Sequence, residues 1–209
     1  MKILIIGSTG PTGLILTRQL LDVGHNVTVL VRNPGKLADL AEQVTVVQGD
    51  ARDAIVLKRA TQGQDAVMSA LGIRSFGKTD LQQRFIGALI AAAHDKPVLR
   101  YVGLSAWGVG DSVASAGIMS KIAARTVLRN VFADKARSEE LLSSSSLSYV
   151  LVRPGILTNG PKRGGVAANG DGSNLGPSMS RADVCSFMIG CLVDDTWLGQ
   201  TPIIGYSTS

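Results

Sequence analysis

Residues 3–13 read ILIIGSTGPTG, a run of four aliphatic residues that leads directly into a glycine-rich turn. An uninterrupted apolar run of this kind is typical of a strand buried on both faces, as in a parallel sheet. Apolar residues with helical spacing follow over residues 12–23, and this pattern stops at Gly24. A strand, a glycine loop and a helix in this order predict the loop that binds the pyrophosphate of a dinucleotide. We prefer this interpretation to an ordinary strand–helix turn.

The loop residues have the sizes that such a site requires. Gly7 permits a tight turn, Gly10 lets the backbone approach a pyrophosphate, and Gly13 lets the helix lie close to the strand. The N-terminus of the helix then presents unpaired N–H groups and the positive end of its dipole to the phosphates. The cofactor contacts predicted in the loop, including two threonine hydroxyls, are Gly7, Thr9, Gly10, Pro11, Thr12 and Gly13.

The same alternation of strands and helices continues along the chain. Further strands are predicted over residues 27–31, 44–47, 66–70, 98–104 and 149–152, and further helices over residues 35–41, 54–60, 81–94, 120–143 and 181–193. Repeated β–α units with short connections predict an α/β fold with a doubly wound, mostly parallel sheet of the Rossmann type. We expect one NAD(P)-binding domain over residues 1–209, with a small irregular substrate-side region at about residues 155–209. That region has weak strand patterns at residues 166–168 and 202–205.

Charge and composition restrict the class of partner. The net charge of +5 is compatible with nucleic acid, a membrane surface or an anionic small ligand. The chain has no long run of Lys and Arg, which disfavours nucleic acid, and its apolar stretches are too short or interrupted to span a bilayer. Cys185 and Cys191 match no metal-binding spacing. We expect buried thiols in a cytoplasmic protein, without a metal or a disulfide.

The end of the second strand indicates which dinucleotide binds. NAD-binding domains place an acidic residue there, but residues 31–36 read VRNPGK and contain no carboxylate. Arg32 and Lys36 can pair with a 2′-phosphate, which favours NADPH over NADH, although a solvated charge is the alternative for Arg32. Asp50, followed by Ala51, ends the third strand, where adenine would lie. Asp50 either accepts a hydrogen bond from the adenine amine or caps the next helix, and both interpretations remain open.

These features together resemble the atypical branch of the short-chain dehydrogenase/reductase superfamily, and within it the biliverdin-IXβ reductase/flavin reductase group. This group shades into the NmrA-like NAD(P)-binding proteins. The resemblance covers almost the whole chain, and its more specific parts are GQDAV at residues 63–67 and the segment at 187–192. The other matching segments are residues 7–13, 27–32, 49–50, 71–72, 105–106, 147–149 and 170–172.

The resemblance implies an NADPH-dependent reductase of flat conjugated acceptors: FMN, FAD, riboflavin or a biliverdin-type tetrapyrrole. It assigns Arg32 and Lys36 to the 2′-phosphate and Ser105 to the active-site serine. The other positions that it assigns along the cofactor are Ala70, Leu71, Gly72 and Arg74, with Pro154, Gly155 and Ile156 on the nicotinamide side. From the residues alone, Ser105 is equally compatible with a hydroxyl satisfied at a strand end. Trp107 either stacks on a planar acceptor or packs in the protein.

The chain also departs from this pattern. Two histidines of the resembled group fall at Gly155 and Lys135, so we expect the proton to come from elsewhere, such as solvent. The Tyr-x-x-x-Lys pair of the main branch is absent, because Val131 stands four residues before Lys135. Hydride transfer to a flavin or bilin needs little beyond stacking against the nicotinamide.

Two other functions stay open from the sequence. One is an NADP-binding redox sensor of the NmrA-like type without turnover, and the other is a nucleotide-sugar epimerase-like enzyme. We expect a monomer or a weak homodimer, with no nucleic-acid or membrane partner.

Overall fold

The computed structural model describes residues 1–72, 77–94, 100–117, 126 and 128–208. The strands within these residues are β1 (Lys2–Ile6), β2 (Asn26–Val31), β3 (Thr45–Gln48), β4 (Ala66–Ser69), β5 (Arg100–Leu104), β6 (Ser148–Pro154), β7 (Ile156–Thr158), β8 (Val166–Asn169), β9 (Ser178–Ser180) and β10 (Ile203–Tyr206). The α-helices are α1 (Pro11–Asp22), α2 (Ala54–Ala60), α3 (Leu81–Ala93), α4 (Arg129–Ser143) and α5 (Arg181–Gly190). An α-helix follows each of β1, β3, β4 and β5, and these β–α units confirm the predicted α/β class.

Eight of these strands form one sheet in the order β3-β2-β1-β4-β5-β6-β10-β8. Neighbouring strands from β3 to β10 are parallel, and β8 at the edge runs antiparallel to β10. From β1 the chain proceeds to β2 and β3 on one side, and β4, β5 and β6 then build the other side. This change of direction leaves a crevice at the carboxyl ends of β1 and β4, which is where doubly wound folds bind ligands.

The hydrophobic core covers both faces of the central strands. In β1, Ile3 and Ile5 belong to the layer that contains residues of α1 and α5, whereas Leu4 and Ile6 belong to the layer that contains residues of α2 and α3. All four side chains are fully buried. The apolar run at residues 3–6 is therefore a strand covered on both faces, as the sequence predicts.

The predicted short helix over residues 35–41 is wrong. The segment forms two 3-10 turns, Pro34–Lys36 and Ala38–Glu42, and Ala38 has a φ of 51° at their junction. A residue in the left-handed region interrupts a right-handed α-helix.

Two further predictions extend beyond the described residues. The helix predicted over residues 120–143 is observed as α4, while its part at 120–125 and 127 lies outside them. Residues 98–99 of the predicted fifth strand also lie outside the described part of the chain.

A second small sheet was not predicted. It pairs β7 with β9 in parallel, and each of these strands has three residues. Strands this short carry no detectable alternation of polar and apolar residues. At the start of β7, a Cβ added to Gly155 would lie 2.3 Å from the carbonyl oxygen of Pro177. Close backbone packing therefore requires glycine at this position.

A buried carboxylate fixes the glycine-rich segment that follows β7. Asp183 in α5 accepts hydrogen bonds from the Tyr206 hydroxyl at 2.6 Å, from Ser180 Oγ at 2.7 Å, and from the backbone N–H groups of Arg163 and Gly164 at 2.9 Å each. Burial alone would raise the pKa of Asp183, but these hydrogen bonds outweigh burial and lower it to about 2. This carboxylate holds the segment against α5 and β10.

Cys185 and Cys191 are free and buried, as expected. Burial raises the pKa of the Cys185 thiol to about 12 and that of Cys191 to about 11. The described residues include no cluster of His, Cys, Asp and Glu side chains that could hold a metal ion. In the same part of the chain, no helix is long and apolar enough to cross a membrane.

Candidate active site

The loop between β1 and α1 has the tight geometry that the sequence predicts. Gly7 has a φ of +83°, and a Cβ there would lie 2.8 Å from the backbone of Ala70. A Cβ on Gly13 would lie 2.0 Å from the carbonyl oxygen of Gly7. Gly10 precedes α1 without a side-chain cap, so the first N–H groups of α1 stay available to a ligand. This loop fits the pyrophosphate of a dinucleotide.

A cavity of about 480 Å³ runs along the carboxyl ends of the strands past this loop. Its lining residues are Gly7, Thr9, Gly10, Pro11, Thr12, Arg32, Asn33, Lys36, Ala70, Leu71, Gly72, Leu81, Leu104, Ser105, Lys135, Leu157 and Arg181. None of these described residues is acidic, and four of them carry a positive charge. The cavity therefore favours an anionic ligand.

One end of the cavity is formed by Arg32 and Lys36. Arg32 follows β2, and the 3-10 turn at Pro34–Lys36 brings Lys36 to the same end. Asn33 supports this turn, because its Oδ1 accepts a hydrogen bond from the Gly35 N–H at 3.1 Å. Both cationic side chains are exposed, and neither forms an ion pair within the described residues. They are available to a phosphate.

Asp50 does not cap α2, so the helix-cap interpretation of this residue is wrong. The cap of α2 is Asp53, whose carboxylate accepts hydrogen bonds from two N–H groups of the first turn. The Asp50 carboxylate instead accepts hydrogen bonds from the Arg52 guanidinium at 2.6, 3.0 and 3.2 Å. The bonds from Arg52 lower the pKa of Asp50 to about 2. Neither Asp50 nor Ala51 lines the cavity.

The other end of the cavity contains Ser105, directly after β5. Its Oγ donates a hydrogen bond of 2.5 Å to the carboxylate of Glu139 in α4. Arg153 of β6 forms a 2.5 Å salt bridge with Glu139 and a 2.6 Å salt bridge with the exposed Asp111. Ser105, Glu139 and Arg153 are all buried. The serine is thus held by a buried ion pair that the sequence did not reveal.

Lys135 also lines this end, four residues before Glu139 in α4. Its Nζ donates a hydrogen bond of 3.0 Å to the carbonyl oxygen of Leu104. Burial lowers the pKa of Lys135 to about 8, although Glu139 and Asp134 act in the opposite direction. The sequence singled out this position only as one where a histidine is missing. Its helical spacing from Glu139 is the signal that could have identified it.

Two contacts between helices and loops hold this end together. Asp134 accepts hydrogen bonds from the Gln82 and Gln83 N–H groups at 2.9 and 3.0 Å, which ties α4 to the first turn of α3. The Gln82 side chain in turn donates to the carbonyl oxygen of Leu71 at 2.7 Å. These bonds connect α4 to the segment at Ala70–Gly72 that lines the cavity.

Several residues that the sequence analysis predicts to contact the cofactor or the acceptor do not line the cavity. Trp107 donates its indole N–H to Ser115 Oγ at 3.2 Å, and its ring lies where a Cβ of Gly172 would be, at 2.5 Å. Pro154 accepts a hydrogen bond from the Trp107 N–H at 2.8 Å. The cavity lining also excludes Gly13, Gly155 and Ile156. Arg74 lies outside the described residues.

Comparisons with known proteins show the family to which the chain belongs. The model of the NAD(P)H-binding family matches residues 7–195, so the chain belongs to this family. A probable pinoresinol-lariciresinol reductase 3 of Arabidopsis thaliana is 25% identical over 96% of this chain and 66% of its own length. The match therefore spans about two thirds of that relative.

Two solved structures share the fold. The anaerobilin reductase ChuY of Escherichia coli O157:H7 has a TM-score of 0.81 at 24% identity, over 98% of this chain and 97% of its own. A short-chain dehydrogenase/reductase of Veillonella parvula, solved with NADP, has a TM-score of 0.82 at 20% identity, over 98% and 94% of the two chains. The family match confirms the predicted NAD(P)H-binding family and its nicotinamide dinucleotide cofactor, and the two structures confirm the Rossmann fold.

Proposed function

We propose that this protein is an NADPH-dependent reductase that delivers hydride to a flat conjugated acceptor, such as a flavin or a biliverdin-type tetrapyrrole. The observation that carries the proposal is one continuous cavity that joins the glycine loop to Ser105 and Lys135 and has no acidic side chain among its described lining residues. It has one phosphate-binding end and a second end with polar side chains that can orient reacting groups. NADPH supplies the hydride when it is bound.

The residues at the first end fit a phosphorylated dinucleotide. The loop at residues 7–13 and the start of α1 would hold the pyrophosphate, and Arg32 and Lys36 would hold the 2′-phosphate. The absence of a carboxylate from the described cavity lining supports NADPH over NADH, because no side chain there repels the added phosphate. Ala70, Leu71 and Gly72 would lie along the cofactor.

The second end suits a flat acceptor. Leu81, Leu104 and Leu157 give it apolar walls from three different elements. Arg181, at the start of α5, provides a cation on the side of Leu157 and is hydrogen-bonded to Asn159 at 2.6 Å. We therefore propose that the region at about residues 155–209 forms the substrate side of the molecule. The reductase names of ChuY and of the Arabidopsis relative support this choice of chemistry.

Ser105 would orient rather than react. Its only hydrogen is donated to Glu139, so toward the cavity its oxygen acts as an acceptor. It can receive a hydrogen bond from an N–H group of the acceptor or of the carboxamide on the nicotinamide. Trp107 has no part in this arrangement, since it does not line the cavity.

Anaerobic and aerobic assays of NADPH oxidation with FMN, riboflavin, biliverdin and dichlorophenolindophenol test the proposal. We expect turnover with at least one planar acceptor and a preference for NADPH over NADH. Tight NADPH binding without turnover on any acceptor would contradict the proposal and favour a redox sensor. The epimerase alternative predicts interconversion of a nucleotide sugar without net oxidation of NADPH, yet no tyrosine lines the described cavity to act as its acid.

A further inference from the structure

Lys135 lies at the Ser105 end of the main cavity, where the proposed function puts the acceptor. Its side chain is half-buried and borders the main cavity beside Ser105. It also borders a small cavity of about 10 Å³ between α3, α4 and β5, which has room for about one water molecule. The hydrogen bond from Nζ to the Leu104 carbonyl oxygen, 3.0 Å long, fixes the ammonium group at this position.

The other polar side chains at this end cannot release a proton. The Ser105 hydroxyl donates its hydrogen to the Glu139 carboxylate, and that carboxylate is paired with Arg153. Arg181 is a guanidinium, which keeps its protons at any pH that proteins tolerate. The Lys135 ammonium carries three hydrogens, and only one of them is used by Leu104. Among the described residues that line this end, Lys135 is therefore the group with a proton to give.

We propose that Lys135 is the general acid of the reductase: its ammonium protonates the acceptor as the acceptor takes up hydride. This inference rests on the proposed function. In the step, one Nζ–H bond breaks, its electron pair stays on nitrogen, and the proton bonds to a nitrogen or oxygen of the acceptor. The acceptor receives its two electrons and its other hydrogen as hydride from NADPH. Lys135 is left as a neutral amine and regains a proton from water after the product leaves.

The surroundings of Lys135 suit an acid that works near neutral pH. Burial lowers its pKa to about 8, and the carboxylates of Glu139 and Asp134 limit this decrease. The other charged or titratable groups around this end are Arg153 of β6, bound to Glu139, Tyr101 of β5 in the small cavity, and Arg181 of α5 across the main cavity. An acid works best when its pKa lies near the working pH. The acid form dominates below pH 8, so the rate of proton transfer should decline above it.

The test compares Lys135→Gln and Lys135→Arg with the wild type and with Lys58→Gln, a control on the exposed face of α2. Gln retains a donor for Leu104, and Arg retains the charge but holds its protons. We would measure NADPH affinity by fluorescence and single-turnover reduction of FMN or biliverdin between pH 6 and pH 10. NMR titration of 15N-labelled lysine side chains measures the pKa of Lys135 without any acceptor.

We expect both Lys135 variants to bind NADPH within about threefold of the wild type and to react about 100-fold more slowly at pH 7. The decline of the wild-type rate above pH 8 should disappear in both, and Lys58→Gln should behave like the wild type. The NMR resonance missing from the Lys135 variants should titrate with a pKa of about 8 rather than about 10.4, the pKa of a free lysine.

Other outcomes overturn the inference. A Lys135→Gln rate within threefold of the wild type, with the same decline above pH 8, would show that another group supplies the proton. A rate loss matched by an equal loss of NADPH affinity would make Lys135 a cofactor ligand instead. If Lys135→Gln does not fold, Lys135→Arg decides in the same way. A wild type that binds NADPH but reduces no acceptor would overturn the proposed function first, and this inference with it.

Discussion

The cavity end at Arg32 and the cavity end at Ser105 differ in how far apart their residues lie along the chain. The first end takes its lining from residues 7–12 and 32–36, which belong to one β–α–β unit. The second end takes Leu81 from α3, Lys135 from α4 and Leu157 from β7, and these are brought together only by tertiary packing. The first end is thus specified by a short stretch of sequence. The second end depends on the packing of helices and strands that are far apart along the chain.

This difference predicts different responses to mutation. Changes to the cationic side chains of the first end should act mainly on cofactor affinity, because Arg32 and Lys36 are exposed and form no ion pair within the described residues. Changes at the second end should act on stability and rate together, because its polar groups share hydrogen bonds inside the protein. The following variants test this contrast.

Gly13→Ala should have the largest effect at the first end. Its Cβ would lie 2.0 Å from the Gly7 carbonyl oxygen, so α1 must move away from β1. We expect a loss of about 3 kcal/mol or more in the free energy of unfolding, measured in urea, together with loss of NADPH binding. Gly10→Ala is the matched control, because its Cβ would be 3.5 Å from the same oxygen. It should fold like the wild type; equal instability of the two variants would contradict the packing role of Gly13.

Glu139→Gln should have the largest effect at the second end. It leaves the buried Arg153 guanidinium without its nearest anion, and we expect a loss of about 3 kcal/mol in unfolding free energy. Asp111→Asn removes the exposed partner of the same arginine and should cost about 1 kcal/mol or less. Chemical denaturation of both variants measures the difference. Similar losses would mean that the buried pair is not what stabilises this end.

Arg32→Glu should change affinity without changing stability. The substitution replaces a partner of the 2′-phosphate with a repelling charge, and we expect NADPH to bind about 100-fold more weakly, with NADH changed little. Calorimetric titration with both cofactors measures this ratio. Arg59→Glu, the same charge change on the exposed face of α2, is the control. Equal losses for NADPH and NADH would place Arg32 away from the 2′-phosphate.

Ser105→Ala should have the smallest effect. The hydroxyl only orients its neighbours, so we expect a turnover number about tenfold lower and NADPH affinity close to that of the wild type. Ser143→Ala, on the exposed surface of α4, should leave both unchanged. If Ser105→Ala retained full turnover, the serine would have no part in the reaction.

The same contrast explains how much could be predicted from the sequence. The glycine loop and Arg32 could be identified because a continuous stretch of chain carries the strand, the turn and the charges. The fold class followed for the same reason, from repeated β–α units. The Glu139–Arg153 pair could not be predicted, because nothing in the two sequences around these residues indicates that they meet. In the sequence, Lys135 stands out only as a position where the resembled group has a histidine. The flat ring of Trp107 suggests stacking on an acceptor, whereas in the structure the ring packs beside Gly172.

The central claim is that hydride passes directly from NADPH to an acceptor bound at the Ser105 end. It is tested most directly with NADPH carrying deuterium on one face of the nicotinamide C4 and with biliverdin or 5-deazariboflavin as the acceptor, because both keep the label on carbon. The account predicts one deuterium in the reduced product from one face of the nicotinamide and none from the other, measured by mass spectrometry. Reduced product without deuterium from either face would contradict it.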